Sequence, residues 1–276
     1  MNVSYLYTPA LRIDSLVAKR DMLRAHAIVF DLEDSTHINA KAAAREKVWE
    51  FDFSPLVELG VKLGIRINAL SSYEGLEDLR LLQRLYAQGG CPLEFVLLPK
   101  VNHPSEVKLH RSLFRSLPTP PHLYTFIETV EAVENADAIA SVSDALCFGQ
   151  ADLVAELYAP NQAYIDYARA RMCIAAARAR IQAIDTNSFE ISDMARFESE
   201  CVAAKAYGFT GKAAIHPTQV AAINRIFSIS QDLLHKYQSV VDTYVRSDTG
   251  FALLDGEVIA PPFVAKARRM LEIYGK

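Results

Sequence analysis

The chain has 276 residues, of which 51% are hydrophobic, with a formal net charge of −4 and a mean hydropathy of +0.07. This length suits one large α/β barrel or two ordinary domains, and the hydrophobic fraction is ample for a sizeable core. The negative charge and the lack of a basic stripe with interleaved aromatic residues argue against a nucleic-acid partner. No apolar run reaches about 18 residues, which argues against a membrane-spanning helix.

Cysteine usage and the first residues of the chain indicate the compartment. The four cysteines (Cys91, Cys147, Cys173 and Cys201) are scattered and form no CxxC pair. The N-terminus has no basic region followed by a long apolar stretch, so no signal peptide is expected. Both features predict a cytoplasmic protein whose thiols stay reduced.

Short apolar runs recur along the chain, and most of them are followed by a segment with helical spacing. The predicted strands are residues 3–7, 27–30, 62–67, 94–98, 124–127, 145–148, 182–184 and 212–215. The predicted helices are residues 11–23, 40–48, 74–87, 107–117, 129–143, 165–179, 197–207, 220–227 and 231–245. This count and order predict an α/β fold, a TIM (β/α)8 barrel over residues 1–227. Residues 228–276 then form a C-terminal helical extension, which we expect at a subunit interface or as a lid.

Polar residues repeatedly follow the predicted strands at the point where each strand ends. They are Asp31, Glu33, Asp34, Arg66, Asn68, Lys100, Glu128, Asp152, Asp185 and His216, with Gly149 ending the sixth run. The carboxyl ends of parallel strands meet at one end of a barrel, where buried polar groups must be solvated, paired or bound. The series therefore predicts a pocket of both charges, built for a metal ion and an anionic substrate.

Glu128 and Asp152 follow adjacent predicted strands. Two carboxylates at this position suit a Mg²⁺ ion that keeps several of its waters. Both residues also suit the first turn of a helix, where acidic side chains are favourable. The two residues alone leave metal binding and helix capping open.

Short motifs occur in a fixed order along most of the chain. They are Asp31-Leu32-Glu33-Asp34-Ser35 with Lys41 and Arg45, Arg66-Ile67-Asn68, Leu98-Pro99-Lys100-Val101, Ile127-Glu128-Thr129, Phe148-Gly149-Gln150-Ala151-Asp152-Leu153 and residues 208–219. In this order they resemble the HpcH/HpaI aldolase/citrate lyase family, in particular its citrate lyase beta subunits and malyl- or citramalyl-CoA lyases. Each motif alone has little specificity, whereas the ordered set is specific.

The resemblance implies a barrel that is usually trimeric, with Mg²⁺, or alternatively Mn²⁺, held by Glu128 and Asp152. It implies a carbon–carbon lyase that acts on a small hydroxy or keto carboxylate, with a CoA thioester as one form of the substrate. Lys100, Gly149, Gln150 and Ala151 are then expected to bind substrate or cofactor together with Arg66.

Chemical reasoning assigns three further roles within this site. Arg66 is expected to stabilise the developing enolate oxygen, because a guanidinium stays charged and presents a rigid fork of donors. Glu33 and Asp34 are expected to orient Arg66 and the magnesium waters, or else to cap the following helix. A non-CoA keto-acid aldolase and a ligand-binding barrel without activity remain the alternatives to the lyase.

The sequence leaves alternative roles open for several other polar residues. Lys41 and Arg45 are either solvated helix charges or part of a phosphate-binding face. His216 is expected to be a hydrogen-bonded structural histidine rather than a base. Asp185 is expected to pair with Lys212 or with Arg66.

The chain departs from the family at its C-terminal end. Family lyases carry there an aspartate, before x-Pro, that acts as a general acid/base in a neighbouring subunit. The turn Asp255-Gly256 is present, but the matching position is Ala260, which has no titratable group. This loss puts cleavage of a CoA ester in doubt, unless Glu257 or a substrate group replaces the aspartate.

Overall fold

The computed structural model describes residues 1–18, 23–159 and 161–274. The chain divides into two compact units, residues 2–227 and residues 228–276 with Met1. Part of the predicted helix over residues 11–23 lies outside the described residues. Its described part is a 3₁₀ turn, Ala10–Arg12, followed by the short helix α1, Ile13–Val17.

Residues 2–227 contain a closed barrel of eight parallel strands, which confirms the predicted (β/α)8 fold. The strands are β1 (Ser4–Pro9), β2 (Ala27–Asp31), β3 (Lys62–Arg66), β4 (Leu93–Leu98), β5 (His122–Ile127), β6 (Ala145–Phe148), β7 (Gln182–Asp185) and β8 (Gly211–Ala214). They follow one another around the barrel in chain order, and β8 pairs with β1 to close it. All strand ends that carry the predicted site residues therefore lie at one end of the barrel.

The helices of this unit lie between the strands and after the last one. They are α2 (Lys41–Glu50), α3 (Ser54–Val57), α4 (Tyr73–Ala87), α5 (Pro104–Phe114), α6 (Val130–Glu134), α7 (Ala136–Ala140), α8 (Gln150–Glu156), α9 (Gln162–Ala179), α10 (Met194–Tyr207) and α11 (Pro217–Phe227). The single helix predicted over residues 129–143 is wrong, because the chain breaks at Asn135 into α6 and α7. The Asn135 side chain donates to the carbonyl of Asn102 at 2.9 Å, as a short polar side chain does where it interrupts a helix. Helix α8, which carries Asp152, was not predicted.

Aromatic side chains fill the interior of the barrel. Phe95 and Tyr124 stack with ring centroids 4.6 Å apart, and Tyr5 meets the Phe95 ring edge-on at 6.1 Å. Gly64 makes room for this packing, since a Cβ there would lie 2.1 Å from the Phe95 ring. The interior is thus a packed core that supports the polar residues at the carboxyl ends of the strands.

The C-terminal unit contains helix α12 (Gln231–Val245), a hairpin of β9 (Ala252–Leu254) and β10 (Glu257–Ile259), and helix α13 (Pro261–Tyr274). Asp255 and Gly256 form the two-residue turn, with φ of +51° and +83°, as a type I′ turn requires. Ala252, Ile259 and Val264 form its small core. The extension is therefore helical as predicted, but it also contains a hairpin that the sequence analysis missed.

None of the helices in the described part of the chain has both the length and the apolar character needed to cross a membrane.

Candidate active site

A cavity of about 320 Å³ lies at the carboxyl end of the barrel. The predicted site residues that line it are Asp34, Arg66, Glu128, Gly149, Ala151 and Asp152. Of the other predicted residues, Glu33 contacts Arg66 and Lys100 contacts Asp152, so both belong to the same cluster. Gln150 instead lines a second cavity of about 620 Å³, which shares residues 185–187 and Phe189 with the first.

Arg66, the last residue of β3, is held by three carboxylates. Its Nε and Nη2 atoms each donate to Asp31 at 2.7 Å, and its Nη1 atom lies 2.7 Å from Glu33 and 3.6 Å from Asp34. The guanidinium also lies 5.5 Å from the Tyr7 ring. Burial opposes its charge, but Asp31 and Glu33 outweigh burial and hold the pKa of Arg66 above its ordinary value. Arg66 is therefore a fixed, permanently charged cation.

Asp31 is the principal partner of Arg66 and also shapes the loop that follows β2. Its carboxylate accepts the backbone N–H groups of Glu33 at 3.0 Å and Ser35 at 3.2 Å. Burial would raise the pKa of Asp31, yet Arg66 and these donors hold it below the ordinary value. The sequence analysis placed Asp31 at this strand end but gave the orienting role to Glu33 and Asp34.

Glu33 pairs with Arg66 and also lies near the carboxylates of Asp34 and Glu128. Burial raises the pKa of Glu33 to about 8, with Arg66 opposing and the nearby carboxylates of Asp34 and Glu128 adding to the rise. Its Oε2 atom pairs with Nη1 of Arg66. Asp34 is more exposed and lies at the outer edge of the same guanidinium.

Glu128 and Asp152 share one cation in this structure, the ammonium of Lys100. The Nζ atom of Lys100 contacts Asp152 and lies 3.8 Å from Oε1 of Glu128, whereas the Lys100 N–H donates to the same oxygen at 2.6 Å. Burial raises the pKa of Glu128 to about 7, against the opposing effect of Lys100. Gly149 permits this arrangement, because a Cβ there would lie 2.4 Å from Cβ and Oε2 of Glu128.

The donor set fits a hard divalent cation. Two carboxylates already converge on one positive charge, and Mg²⁺ binds carboxylate oxygens while it keeps several waters. Within the described residues no group of three or more His, Cys, Asp or Glu side chains is placed to hold a metal ion. Magnesium at Glu128 and Asp152 would therefore depend on water and substrate oxygens for the rest of its coordination.

Asp185 at the end of β7 forms a second buried ion cluster. It pairs with Lys212 at 2.5 Å and with Arg169 at 2.8 Å, so of its two expected partners the structure has Lys212 and not Arg66. Arg169 also donates to Gln150 at 3.2 Å, and its guanidinium lies 4.8 Å from the Phe209 ring. Arg169 was missed by the sequence analysis, because a single arginine within a long helix gives no signal.

Lys41 and Arg45 are not solvated helix charges, so that prediction is wrong; both are paired with protein groups. Lys41 is buried beneath the loop after β2, and Arg45 pairs with Glu74 at 2.6 Å and Asp78 at 3.0 Å. His216 is exposed, and its Nδ1 atom accepts the N–H of Thr218 in the first turn of α11 at 3.3 Å. Its hydrogen bonds agree with the expected structural role.

Comparisons with known proteins show the family to which this chain belongs. The family model described as HpcH/HpaI aldolase/citrate lyase matches residues 4–217. The citrate lyase subunit beta of Escherichia coli K12 is 28% identical over 97% of this chain and 91% of its own length. The human mitochondrial citramalyl-CoA lyase is 26% identical over 97% of this chain and 84% of its own length.

Among solved structures, the CitE protein of Mycobacterium tuberculosis in complex with magnesium, acetoacetate and coenzyme A superposes with a TM-score of 0.76. It is 23% identical and covers 100% of this chain and 98% of its own, so this likeness shows the fold. The family match covers the barrel and all the strand ends described above. The chain therefore belongs to the HpcH/HpaI aldolase/citrate lyase family, whose relatives named above include carbon–carbon lyases.

Proposed function

We propose that this chain is a Mg²⁺-dependent carbon–carbon lyase that cleaves a small 3-hydroxy carboxylate, presented as a CoA thioester, or forms it in reverse. The observation that supports the proposal is that a fixed cation and two carboxylates line one cavity. Arg66, fixed by Asp31 and Glu33, lines the same cavity as the carboxylates of Glu128 and Asp152. An aldol- or Claisen-type cleavage needs both a fixed cation for the enolate and an electrophilic centre for the carbonyl fragment.

Glu128 and Asp152 are the residues that would hold the magnesium ion. When bound, the ion supplies a Lewis acid that polarises the carbonyl or hydroxyl oxygen of the fragment that becomes the keto acid. The Lys100 ammonium lies between these carboxylates. Magnesium and the Lys100 ammonium would therefore compete for the same position. The Lys100 side chain is about one-third exposed, which gives it room to turn towards solvent and a substrate carboxylate.

Arg66 has donors left for the enolate oxygen. A guanidinium has five N–H donors. Asp31 accepts two of them, Glu33 pairs with Nη1 at 2.7 Å, and Asp34 lies farther from the same atom, at 3.6 Å. The remaining donors can bind an oxygen whose negative charge grows as the carbon–carbon bond breaks. Because the carboxylates fix Arg66 beforehand, no reorganisation is needed as that charge develops.

The family's C-terminal proton-transfer aspartate is replaced in this chain by Ala260, which has no titratable group. Ala260 lies directly before α13, where its carbonyl accepts the N–H groups of Phe263 and Val264. Glu257 is exposed on β10 and lies 3.7 Å from Lys236. Ala260 is the observation that favours a second candidate, a barrel that binds a keto acid or CoA ester with little turnover.

The assembly and compartment belong to the same proposal. A homotrimer acting in the cytoplasm is supported by the family resemblance, and the four free cysteines accord with a reducing compartment. Small carboxylates or acyl-CoA esters are then its partners. Light scattering at micromolar concentration tests the trimer, and a monomer would contradict it.

The decisive experiment is an assay of the purified chain with malyl-CoA and citramalyl-CoA, with Mg²⁺ or Mn²⁺ and then with excess EDTA. We expect metal-dependent release of glyoxylate or pyruvate together with acetyl-CoA. Asp152→Ala should remove both turnover and tight metal binding in a calorimetric titration, while Glu134→Ala, an exposed carboxylate on α6, should change neither. Turnover that survives EDTA, or metal binding that survives Asp152→Ala, would refute the assignment.

A further inference from the structure

Lys41, on the first turn of α2, is a buried cation that the mechanism above does not use. Its side chain lies beneath the loop that follows β2 and is 7% exposed. The ammonium donates to the carbonyls of Leu32 at 2.7 Å and Glu33 at 2.8 Å and to Oδ1 of Asn68 at 2.7 Å. All three donors of the ammonium therefore have partners.

The Lys41 contacts continue through Asn68 into a wider network. Asn68 donates through Nδ2 to the Leu32 carbonyl at 3.0 Å and to Asp78 at 2.7 Å. Asp78, which is fully buried on α4, also accepts the Asn68 N–H and pairs with Arg45. The backbone of Leu32 and Glu33 is thus tied to two helices and to the end of β3.

The side chains of the loop after β2 contact the active site. The side chains of Asp31 and Glu33 hold the Arg66 guanidinium there, and the Leu32 N–H donates to the Arg66 carbonyl at 2.9 Å. Lys41 and Asn68 therefore hold the backbone carbonyls of the loop, whereas the acidic side chains of the loop hold Arg66. A displacement of the Leu32–Glu33 backbone would move the carboxylates that orient Arg66.

A role in stability alone does not account for a charge at this position. Burial of an ammonium carries a large desolvation cost, and an apolar side chain of similar length would avoid it. An apolar side chain would, however, give up three hydrogen bonds, to the Leu32 and Glu33 carbonyls and to Oδ1 of Asn68. The geometry requires a long side chain with several donors, which is what lysine offers.

We propose that Lys41 is a positioning residue for Arg66, acting through the backbone of Leu32 and Glu33 and supported by Asn68 and Asp78. The catalytic consequence rests on the proposed function, in which Arg66 stabilises an enolate. The structural part does not depend on it. Loss of the ammonium should loosen the loop of residues 31–36, while Glu128 after β5 and Asp152 on α8, the carboxylates proposed to bind the metal, stay in place.

The test compares Lys41→Met with Lys47→Met in the full chain. Lys47 lies on the same helix and pairs with the exposed Asp14, away from the loop. Hydrogen exchange followed by mass spectrometry reports on residues 31–36, where the Leu32, Glu33, Ser35 and Thr36 N–H groups all have partners. Strand β4, residues 93–98, serves as the internal reference for global unfolding.

We expect exchange in residues 31–36 to accelerate by about tenfold or more in Lys41→Met, as charge-assisted hydrogen bonds are lost. The reference strand should be unchanged, and Lys47→Met should resemble the unmodified chain. Where turnover is measurable, kcat should fall by about 10–100-fold, the range for residues that orient a site from outside. KM and the Mg²⁺ affinity should stay within about threefold of the values for the unmodified chain, a much smaller change than the fall in kcat.

Exchange in residues 31–36 that is unchanged, or that accelerates only in step with the reference strand, would overturn the proposal. If Lys41→Met does not fold, Asn68→Ala removes the neighbouring link and should accelerate the same peptide. Failure of both variants to loosen it, or to fold, contradicts a role confined to the loop. A chain without turnover on any substrate would refute the proposed function, but the exchange measurement would still decide the role of Lys41.

Discussion

Lys100 contacts Oε1 of Glu128 through two groups: its backbone N–H donates at 2.6 Å, and its ammonium lies 3.8 Å away. The residue adopts a left-handed backbone with φ of +54°, which is uncommon for a residue with a side chain. The backbone contact fixes the Glu128 carboxylate, and the ammonium neutralises it together with Asp152. Removal of the ammonium should therefore separate these two effects.

Lys100→Met should tighten Mg²⁺ binding, because the competing ammonium is lost while the backbone N–H contact is kept. The expected decrease in the Kd of Mg²⁺ is about two- to fivefold, in line with the small energy of a partly exposed ion pair. Calorimetric titration of the ligand-free chain measures it, with Lys108→Met as the control on exposed α5 surface. Weaker Mg²⁺ binding in Lys100→Met would instead show that this lysine supports the metal site.

Gly149→Ala should displace the Glu128 carboxylate and so disrupt the proposed metal site. The added Cβ would lie 2.4 Å from two Glu128 atoms, so the carboxylate must move. We expect a loss of about 1–3 kcal/mol in the free energy of unfolding, typical of overpacking, with weaker Mg²⁺ binding. Denaturant unfolding and metal titration measure the two effects.

Gly250→Ala is the matched control for that substitution, because a Cβ there meets no atom within 4 Å. It should change neither the unfolding free energy nor the metal affinity by a measurable amount. Equal behaviour of the two alanine variants would show that the close approach of Gly149 to Glu128 is unimportant.

His110, on the buried face of α5, should make the chain less stable in mild acid. Burial lowers the pKa of His110, although its contact with the Glu106 carbonyl opposes this, so the unfolded chain binds more protons. The stability associated with neutral His110 is present above the ordinary pKa of 6.5 and is lost as the pH falls below it.

Denaturant unfolding at a series of pH values between about 7.5 and 5 tests the His110 effect, since this window spans the ordinary histidine pKa. His110→Gln should reduce the decline in unfolding free energy across that window, whereas His235→Gln, at an exposed site on α12, should leave it unchanged. An identical decline in all three proteins would rule out His110 as the source.

The strand-end residues were predictable because each buried parallel strand is an apolar run with a clear end. Arg66 ends such a run, Glu128 follows one directly, and Asp152 comes four residues after one. The closed barrel brings all three to one cavity. The role of Lys41 was not predictable, since a lysine among alanines and charges resembles a solvated helix surface. Its burial depends on Asn68 and the Glu33 carbonyl, and pairings of this kind leave no pattern in one sequence.

The segment after β6, which carries Asp152, shows a second limit of sequence-based prediction. Helix α8 begins at Gln150, separated from the end of β6 by Gly149 alone, and its seven residues are too few to show a helical period. Arg169 reaches Gln150 and Asp185 from the middle of α9, so its place beside the site follows from helix packing. Local pattern thus located the acids together with Arg66 and Lys100, while the places of Lys41 and Arg169 required the fold.

Ala260→Asp should restore part of the missing proton transfer if the C-terminal segment of one subunit reaches the active site of another. General acid–base groups typically contribute about 10²–10⁴-fold, so the unmodified chain should cleave malyl- or citramalyl-CoA more slowly than an enzyme with the aspartate by that factor. An aspartate directly before α13 also suits the start of a helix, so the variant should fold at least as stably. Thermal unfolding checks this independently of activity.

The assay compares the unmodified chain, Ala260→Asp, Arg66→Ala and the double variant, and it follows release of the keto acid. Arg66→Ala should remove activity in both backgrounds, because the guanidinium acts on the enolate oxygen and not on the proton. Fast turnover by the unmodified chain would show that Ala260 is no defect and that another group delivers the proton. Absence of turnover in a well-folded Ala260→Asp would favour a substrate without CoA or the ligand-binding barrel.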